Sequence, residues 1–146
     1  MEQSEQTLEN TANLLADQNL QIIERTRSIL MTLAKFKQIQ NLDAPVLPDI
    51  FSNLTSISVA LVDLRLCDLN GNTLASSAQK TVPLSAEQKA FLLKDIGIPE
   101  FAVQPSAISP TIGEPVLTCS YPVYSDKEYV AVIVASVKTQ IDAQHL

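Results

Sequence analysis

Apolar residues recur at helical spacing over the first forty positions of the chain. The residues that repeat every seven positions are Leu8, Leu15, Ile22, Ile29 and Phe36. A second set, which widens this line into a face, comprises Ala12, Ile23, Leu30, Leu33 and Ile39. Neither Gly nor Pro occurs between Met1 and Ala44. The pattern therefore predicts one continuous amphipathic helix from Ser4 to Gln40.

The predicted helix is long for a chain of 146 residues. A helix of about 36 residues spans roughly 54 Å, whereas a compact chain of this length has a diameter of about 40 Å. We therefore expect one end of the helix to project from the body or to pair with a partner, and pairing of two copies through this helix predicts a homodimer.

A hairpin is predicted after the helix. The stretch from Ile57 to Asp68 is rich in Val and Leu at both parities, which indicates a strand covered on both faces. Asn70-Gly71 favours a type I′ turn, because glycine and asparagine tolerate the positive φ values that this turn requires. A short return strand is expected from Thr73 to Ser77.

A second helix and three further strands complete the predicted order. Ser85 and Gln88 form a capping box for a helix from Ala86 to Asp95, which Gly97 ends. The strands are expected at Phe101 to Ile108, where Pro105 interrupts the pattern, at Val116 to Tyr124 and at Tyr129 to Val137. The short loops make neighbouring strands antiparallel.

This order of elements predicts an α+β domain with a PAS-like layout. A five-stranded antiparallel sheet would carry the long N-terminal helix packed along it. We place the helix at residues 1–44 and the sheet-containing body at residues 45–146, the two together forming one structural domain.

Composition excludes several classes of partner. The formal charge of −6 disfavours nucleic acid and anionic membrane surfaces, since both require clustered Lys and Arg. No run of 18 apolar residues is present, and the start lacks the pattern of a signal peptide. Met1 is followed at once by a mid-helix pattern, so we expect an excised segment of a longer protein, with any membrane contact made only through flanking segments.

Catalytic and metal-binding chemistry finds little support. The only histidine, His145, lies in a polar tail, so neither a Ser-His-Asp arrangement nor a His-ligated haem or zinc is expected. Asp63 and Asp68 lie five positions apart on one strand and would face opposite sides. We predict no enzymatic activity, no metal and no cofactor.

The two cysteines, Cys67 and Cys119, lie in separate predicted strands without metal-binding spacing. They are expected to be small buried side chains. A disulfide remains open at this point, because it requires the two strands to be neighbours.

Two stretches of the chain resemble the extracytoplasmic Cache family of PAS-like sensor domains. The first is VDLRLCDLNGNTLASS at 62–77, which is similar to the family's apolar strand, Asp-x-x-Gly hairpin and short strand ending in Ser. The second is the turn from Ser109 to Leu117 that leads into Ser120-Tyr121-Pro122-Val123-Tyr124. The long opening helix and the closing strand complete the resemblance over nearly the whole chain.

Two departures from the family are visible. Lys127 and Glu128 stand in the last loop, where members often carry Gly. The Arg and Trp that amino-acid-binding members carry between helix and third strand are absent, and the chain reads GIPEF at 97–101. The resemblance therefore does not carry amino-acid recognition over to this chain.

The resemblance implies a ligand-sensing input domain of a membrane-bound bacterial histidine kinase, diguanylate cyclase or chemoreceptor, located in the periplasm. By that analogy an unknown small molecule, an organic acid among the candidates, would bind near Arg65, Phe101, Ser120 and Tyr121. Arg65 would pair with an anionic ligand. Ordinary core packing of Phe101 and Tyr121, and a solvated charge at Arg65, are the alternatives. At the level of function, the alternatives are a non-binding dimerisation or spacer module and a cytoplasmic PAS domain.

Overall fold

The computed structural model describes residues 19–58, 60–77, 83–109 and 112–139. The helices are α1 at residues 19–33, α2 at Lys37–Gln40, α3 at Leu47–Ile57 and α4 at Ala86–Ile96. The strands are β1 at Leu61–Cys67, β2 at Thr73–Ser76, β3 at Ala102–Val103, β4 at Ala107–Ile108, β5 at Pro115–Ser125 and β6 at Glu128–Lys138.

The predicted helix is confirmed over residues 19–33, but its continuation to Gln40 is wrong. A turn at 34–36 ends α1, and Phe36 adopts an extended conformation with ψ 135° before α2 begins. The break redirects the chain so that Ile39 is fully buried while Phe36 is 40% exposed. Burial of Ile39 against the core outweighs the intrinsic preference for an unbroken helix, which is a weak determinant. The part of the prediction from Ser4 to residue 18 lies outside the described residues.

Between α1 and the sheet, the chain forms the short helix α2 and the eleven-residue helix α3. Pro48 stands in the first turn of α3, where its missing N–H is not needed. The helix α3 ends at Ile57, so β1 begins at Leu61 rather than at Ile57 as the sequence predicts.

The sheet is antiparallel throughout the described residues, with the order β2-β1-β6-β5-β3, and β4 also pairs with β5. The predicted third strand is divided by Pro105 into β3 and β4, which occupy the same edge beside β5. Five strand positions therefore result, as predicted, and the α+β class is confirmed. The long strand β6 is central, between β1 and β5.

The first hairpin, between β1 and β2, does not have the turn type that the sequence predicts. There, Asp68 pairs with Asn72 around a three-residue loop in which only Gly71 has a positive φ, at 84°. The prediction of a type I′ turn at Asn70-Gly71 is therefore wrong. Asp68 Oδ1 accepts hydrogen bonds from the backbone N–H groups of Asn70 and Asn72, which stabilises the longer loop.

The second hairpin, between β5 and β6, holds positive φ values at both Asp126 and Lys127, at 49° and 69°. Ser125 pairs with Glu128 across it. This two-residue loop therefore has the type I′ geometry without a glycine.

The two faces of the sheet differ in what covers them. The helices before β1 cover the first face, where the core includes Leu30, Leu33, Ile39, Leu47 and Phe51 against Leu64, Leu66 and Ile133. We call this the helix face. On the second face, Leu92 and Ile96 of α4 pack against Cys67, Val132 and Val134. We call this the α4 face.

Candidate functional site

Polar side chains are concentrated on the α4 face. Directly paired residues share a face of a sheet, and Val134 lies between Arg65 of β1 and Ser120 of β5. Since Val134 packs with α4, Arg65 and Ser120 face α4 as well. Ser76 pairs with Arg65 from the other side. One row of neighbouring positions thus places three polar residues on the α4 face.

A second row of the α4 face lies one step along the strands. Ser136 of β6 pairs with both Asp63 and Thr118. All six polar residues of the two rows are at most 7% exposed. Residues two positions apart on a strand, such as Asp63 and Arg65, point to the same face of the sheet, and this spacing places the polar side chains together. The helix face carries apolar side chains at the neighbouring positions of the same strands.

An ion pair between Asp63 and Arg65 forms the centre of this polar cluster. Arg65 donates from Nη2 and Nε to Asp63 Oδ2 at 2.8 and 3.2 Å. A third hydrogen bond runs from Arg65 Nη1 to the hydroxyl of Thr73 at 3.0 Å. These bonds use three of the five N–H groups of the guanidinium. Both charged side chains are almost completely buried, so each depends on the other for its charge to be tolerated.

The second carboxylate oxygen of Asp63 is held by serines at the end of β2. Ser77 donates its hydroxyl to Asp63 Oδ1 at 2.9 Å, and Ser76 does so at 3.3 Å. Ser77 Oγ also accepts a hydrogen bond from the backbone N–H of Leu64. The carboxylate is therefore fixed in position from both sides, and with it the guanidinium of Arg65.

The four residues predicted for ligand binding are divided between the two faces. Arg65 on β1 and Ser120 on β5 both lie on the α4 face, with Val134 of β6 between them. Phe101 and Tyr121 pack against the core of the helix face, and the guanidinium of Arg27 lies 5.8 Å from the centre of the Phe101 ring. The structure thus divides the four residues into two pairs, one on each face of the sheet.

Sequence reasoning missed four members of the cluster, which are Asp63, Ser76, Thr118 and Ser136. The signal that could have found them is the spacing of two between polar residues in otherwise apolar strands, seen at Asp63 and Arg65 and again at Thr118 and Ser120. The sequence predicts no partnership of Asp63 with Asp68, and the structure pairs Asp63 with Arg65 instead.

A second carboxyl group lies at the end of α4. Burial raises the pKa of Asp95 above its ordinary value of 3.8, although hydrogen bonding from Gln104 and the charge of Lys94 partly offset this. Gln104 is itself 4% exposed. Asp95 Oδ2 is buried and has no hydrogen-bond partner among the described residues. Asp95 lies near the carboxyl end of α4, where a negatively charged side chain interacts unfavourably with the helix dipole.

The cysteines are free and cannot form the disulfide that the sequence left open. Cys67 lies on the α4 face and Cys119 on the helix face. Strand β6 separates the strands that carry them. Burial raises the pKa of Cys67 to about 11 and that of Cys119 to about 12, so both thiols are unreactive at neutral pH.

Among the described residues, no group of three or more His, Cys, Asp or Glu side chains is placed to hold a metal ion. Within the same part of the chain, no helix is both long enough and apolar enough to span a membrane.

Comparisons with known proteins give a fold-level answer. No family model matches the sequence, and no curated protein matches it. Several solved structures have a similar fold, but their sequence identities of 17–20% are too low to assign a function to this chain. The extracellular domain of rpHK1S-Z16, which is assigned as a histidine kinase, has a TM-score of 0.71 at 19% identity, and the match covers 93% of this chain and 58% of that one.

Two similar structures were determined with ligands. The ligand-binding domain of the Campylobacter jejuni chemoreceptor Tlp3, in complex with L-norvaline, has a TM-score of 0.63 at 20% identity, with 91% of this chain and 59% of that chain covered. The ligand-binding domain of the Pseudomonas aeruginosa amino-acid chemoreceptor PctC, in complex with GABA, has a TM-score of 0.59 at 17% identity, with 94% and 62% covered.

The chain therefore spans about three fifths of the length of the structures it matches. Its fold is that of Cache-type, PAS-like sensor domains, and the predicted resemblance is confirmed at the level of fold.

Proposed function

We propose that this chain is the extracytoplasmic ligand-sensing input domain of a membrane-bound bacterial signal-transduction protein, such as a histidine kinase, a diguanylate cyclase or a chemoreceptor. Its place would be the periplasm, with residues 1–44 and 45–146 acting as one unit. The similar structures support this proposal because they are sensor or ligand-binding domains of histidine kinases and chemoreceptors. Any catalytic activity would belong to a separate output domain.

The polarity of the α4 face is the observation that carries the proposal. Burying polar groups costs free energy even when they are hydrogen-bonded, and burying a charged pair costs more. The helix face of the same sheet is filled by apolar side chains, so the fold itself does not require polar residues at these positions. A face that recognises a polar small molecule does require them.

The chemistry of the cluster favours a ligand that carries a carboxylate. Arg65 is a buried guanidinium with two N–H groups beyond those bonded to Asp63 and Thr73. Guanidinium groups bind carboxylates through paired hydrogen bonds. The hydroxyls of Ser120 and Thr118 lie on the same face and offer both donors and acceptors. A small organic acid or an amino acid fits this set, and both ligands named for the similar structures are amino acids.

Signal transfer would run through the sheet to the N-terminal helices. Val134 on the α4 face is flanked in sequence by Ile133 and Ala135, which pack into the core of the helix face. A ligand that binds one arrangement of β6 and β1 more tightly than another would shift the equilibrium between two positions of α1. The size of the shift is set by the difference in affinity for the two arrangements. The proposal that α1 carries the output is supported by Leu30 and Leu33 of α1, which belong to the same buried core as Ile133.

Thermal-shift screening against organic acids, amino acids and amines tests the proposal. A ligand at about 100 times its Kd should stabilise the folded state by about 2.7 kcal/mol. For a chain of this size that corresponds to a rise in Tm of roughly 5–11 °C. Ser120→Ala should abolish most of the shift, whereas Ser106→Ala, at an exposed position of a connecting segment, should retain it. Absence of any stabilising compound, or an unchanged shift in Ser120→Ala, would refute ligand binding at this face.

A dimerisation or spacer module is the second candidate, and α1 provides the observation in its favour. Leu20 on α1 is 56% exposed, and Arg65 on the α4 face is already neutralised by Asp63. A homodimer through α1 would bury Leu20. Sedimentation of the wild type and of Leu20→Lys distinguishes the candidates: a wild type that remains monomeric at high concentration would argue against pairing through this helix.

A further inference from the structure

Two cavities follow the line along which α1 meets α3, on the helix face. The larger one, of about 740 Å³, lies where β1 begins and β6 ends. The smaller one, of about 450 Å³, lies further along the two helices. Ile29 and Leu54 line both cavities, so the two adjoin. We call the pair of cavities the helix seam. It lies on the opposite side of the sheet from the polar cluster around Arg65.

The walls of the helix seam change in character along its length. At the smaller cavity, the apolar residues are Leu33, Phe36 and Ile50, together with the shared Ile29 and Leu54. The larger cavity continues this apolar wall with residues such as Ile57, which is 78% exposed. An apolar trough of this kind binds apolar ligand groups by excluding water.

Among the described residues, positively charged side chains line the larger cavity and not the smaller one. Arg25 of α1 and Lys138 of β6 both line the larger cavity, and no acidic residue among the described residues lines either cavity. This is notable in a protein with a formal charge of −6. Lys138 contacts Glu114 at 3.8 Å, but both side chains are more than half exposed, so this ion pair is weak and can be replaced.

We propose that the helix seam binds a monocarboxylate with an unbranched alkyl chain. Its carboxylate would lie at Arg25 and Lys138, and its chain would lie between α1 and α3 in the direction of Phe36. From Arg25 to Leu33 the helix rises by about 12 Å, which suits an alkyl chain of roughly ten carbons. The larger cavity alone has a volume typical of small-molecule sites.

This site is independent of the ligand proposed for the α4 face, because the sheet separates the two. It would nevertheless act on the same output element. A ligand between α1 and α3 contacts the helix whose displacement the proposed sensor uses, so its binding would change the energy of any arrangement that closes the helix seam.

Titration calorimetry with hexanoate, octanoate and decanoate, each below its micelle-forming concentration, tests the proposal. Affinity should rise by about fourfold for each added methylene, the value expected for transfer of apolar surface from water. Decyltrimethylammonium, which has the same chain and the opposite charge, should bind far more weakly than decanoate. The double variant Arg25→Gln, Lys138→Gln should lose at least about tenfold in affinity for decanoate.

Matched controls separate the site from general effects of charge and hydrophobicity. The double variant Lys35→Gln, Lys37→Gln removes two exposed positive charges beyond the end of α1 and should bind decanoate as the wild type does. Ser28→Trp places a large side chain at an exposed position that lines the smaller cavity, and should abolish the gain in affinity with chain length.

Three results would overturn the proposal. The first is an affinity that does not change with chain length, and the second is equal binding of decanoate and decyltrimethylammonium. The third is a wild-type dimer that Ser28→Trp dissociates, without any binding of carboxylates, because the helix seam would then be occupied by a second copy of the chain.

Discussion

Truncation of Asp63 to alanine should destabilise the protein by about 3–5 kcal/mol, because Arg65 would remain charged and unpaired in the interior. The atoms concerned, Arg65 Nη2 and Asp63 Oδ2, are 2.8 Å apart, and both side chains are about 95% buried or more. At an effective dielectric constant of about 20, unit charges at that distance attract by about 6 kcal/mol. Loss of the hydration of both ions offsets part of this attraction.

The double variant Asp63→Val, Arg65→Met provides the decisive comparison. It removes both charges and leaves apolar side chains of similar shape, so it should be more stable than Asp63→Ala despite carrying two substitutions. The exposed Glu100→Ala serves as a control for loss of a carboxylate and should change stability by less than about 0.5 kcal/mol.

Urea unfolding followed by far-UV circular dichroism measures these differences, since the chain contains no tryptophan to serve as a fluorescent probe. A typical domain is stable by about 5–15 kcal/mol, so the single variant should lose a large share of its stability. A loss of less than about 1 kcal/mol in Asp63→Ala, or a double variant that is no more stable than the single one, would refute the view that the two charges depend on each other.

Three further predictions follow from particular residues. Lys127→Gly should stabilise the protein by about 1 kcal/mol, because glycine adopts the φ of 69° without the strain of a side chain; a fall in Tm measured by calorimetry would contradict this. Cys67 and Cys119, whose pKa values are about 11 and 12, should resist iodoacetamide at pH 8 until urea unfolds the chain, as followed by intact mass; rapid labelling of the native protein would show that the thiols are accessible. The raised pKa of Asp95 means that the folded state binds its proton more tightly, so the contribution of Asp95 to stability falls as pH rises above the unfolded value of about 3.8. Asp95→Asn should therefore be more stable than the wild type near pH 7 and lose this advantage near pH 3, and an equal difference at both pH values would contradict the assignment.

Local patterns predicted the elements whose determinants lie close together in sequence. Ser85 and Gln88 form the capping box that the sequence indicated, with Ser85 Oγ accepting from the Gln88 N–H and Gln88 Oε1 accepting from the Ser85 N–H. The strands of the meander and their antiparallel order follow from short loops in the same way.

The errors concern features that depend on contacts between distant residues. No Gly or Pro marks the break after α1 in the sequence. The break results from the burial of Ile39 in a core that the sheet forms. The first hairpin has three loop residues because the side chain of Asp68 bonds the N–H groups of Asn70 and Asn72, an interaction that the Asn-Gly pair alone does not reveal.

The candidate site could be predicted only in part for the same reason. Arg65 and Ser120 were found as individual residues, but their shared face depends on the register of β1, β6 and β5, which the sequence does not state. The pairing of Asp63 with Arg65 is an exception, because the spacing of two along one strand is visible in the sequence. The resemblance implies that Phe101 and Tyr121 line the ligand site, whereas alternation along β5 directs Tyr121 to the opposite face from Ser120.

Mapping a bound ligand by NMR tests the central claim most directly. A carboxylate-bearing compound identified by thermal shift would be titrated into protein labelled with ¹⁵N, and the backbone amide shifts would be followed. We expect the largest changes at Arg65, Ser120 and their neighbours on β1, β5 and β6, with smaller changes in α1. Saturable changes confined to residues far from the α4 face, or none at all, would contradict the account of this face as the sensing surface.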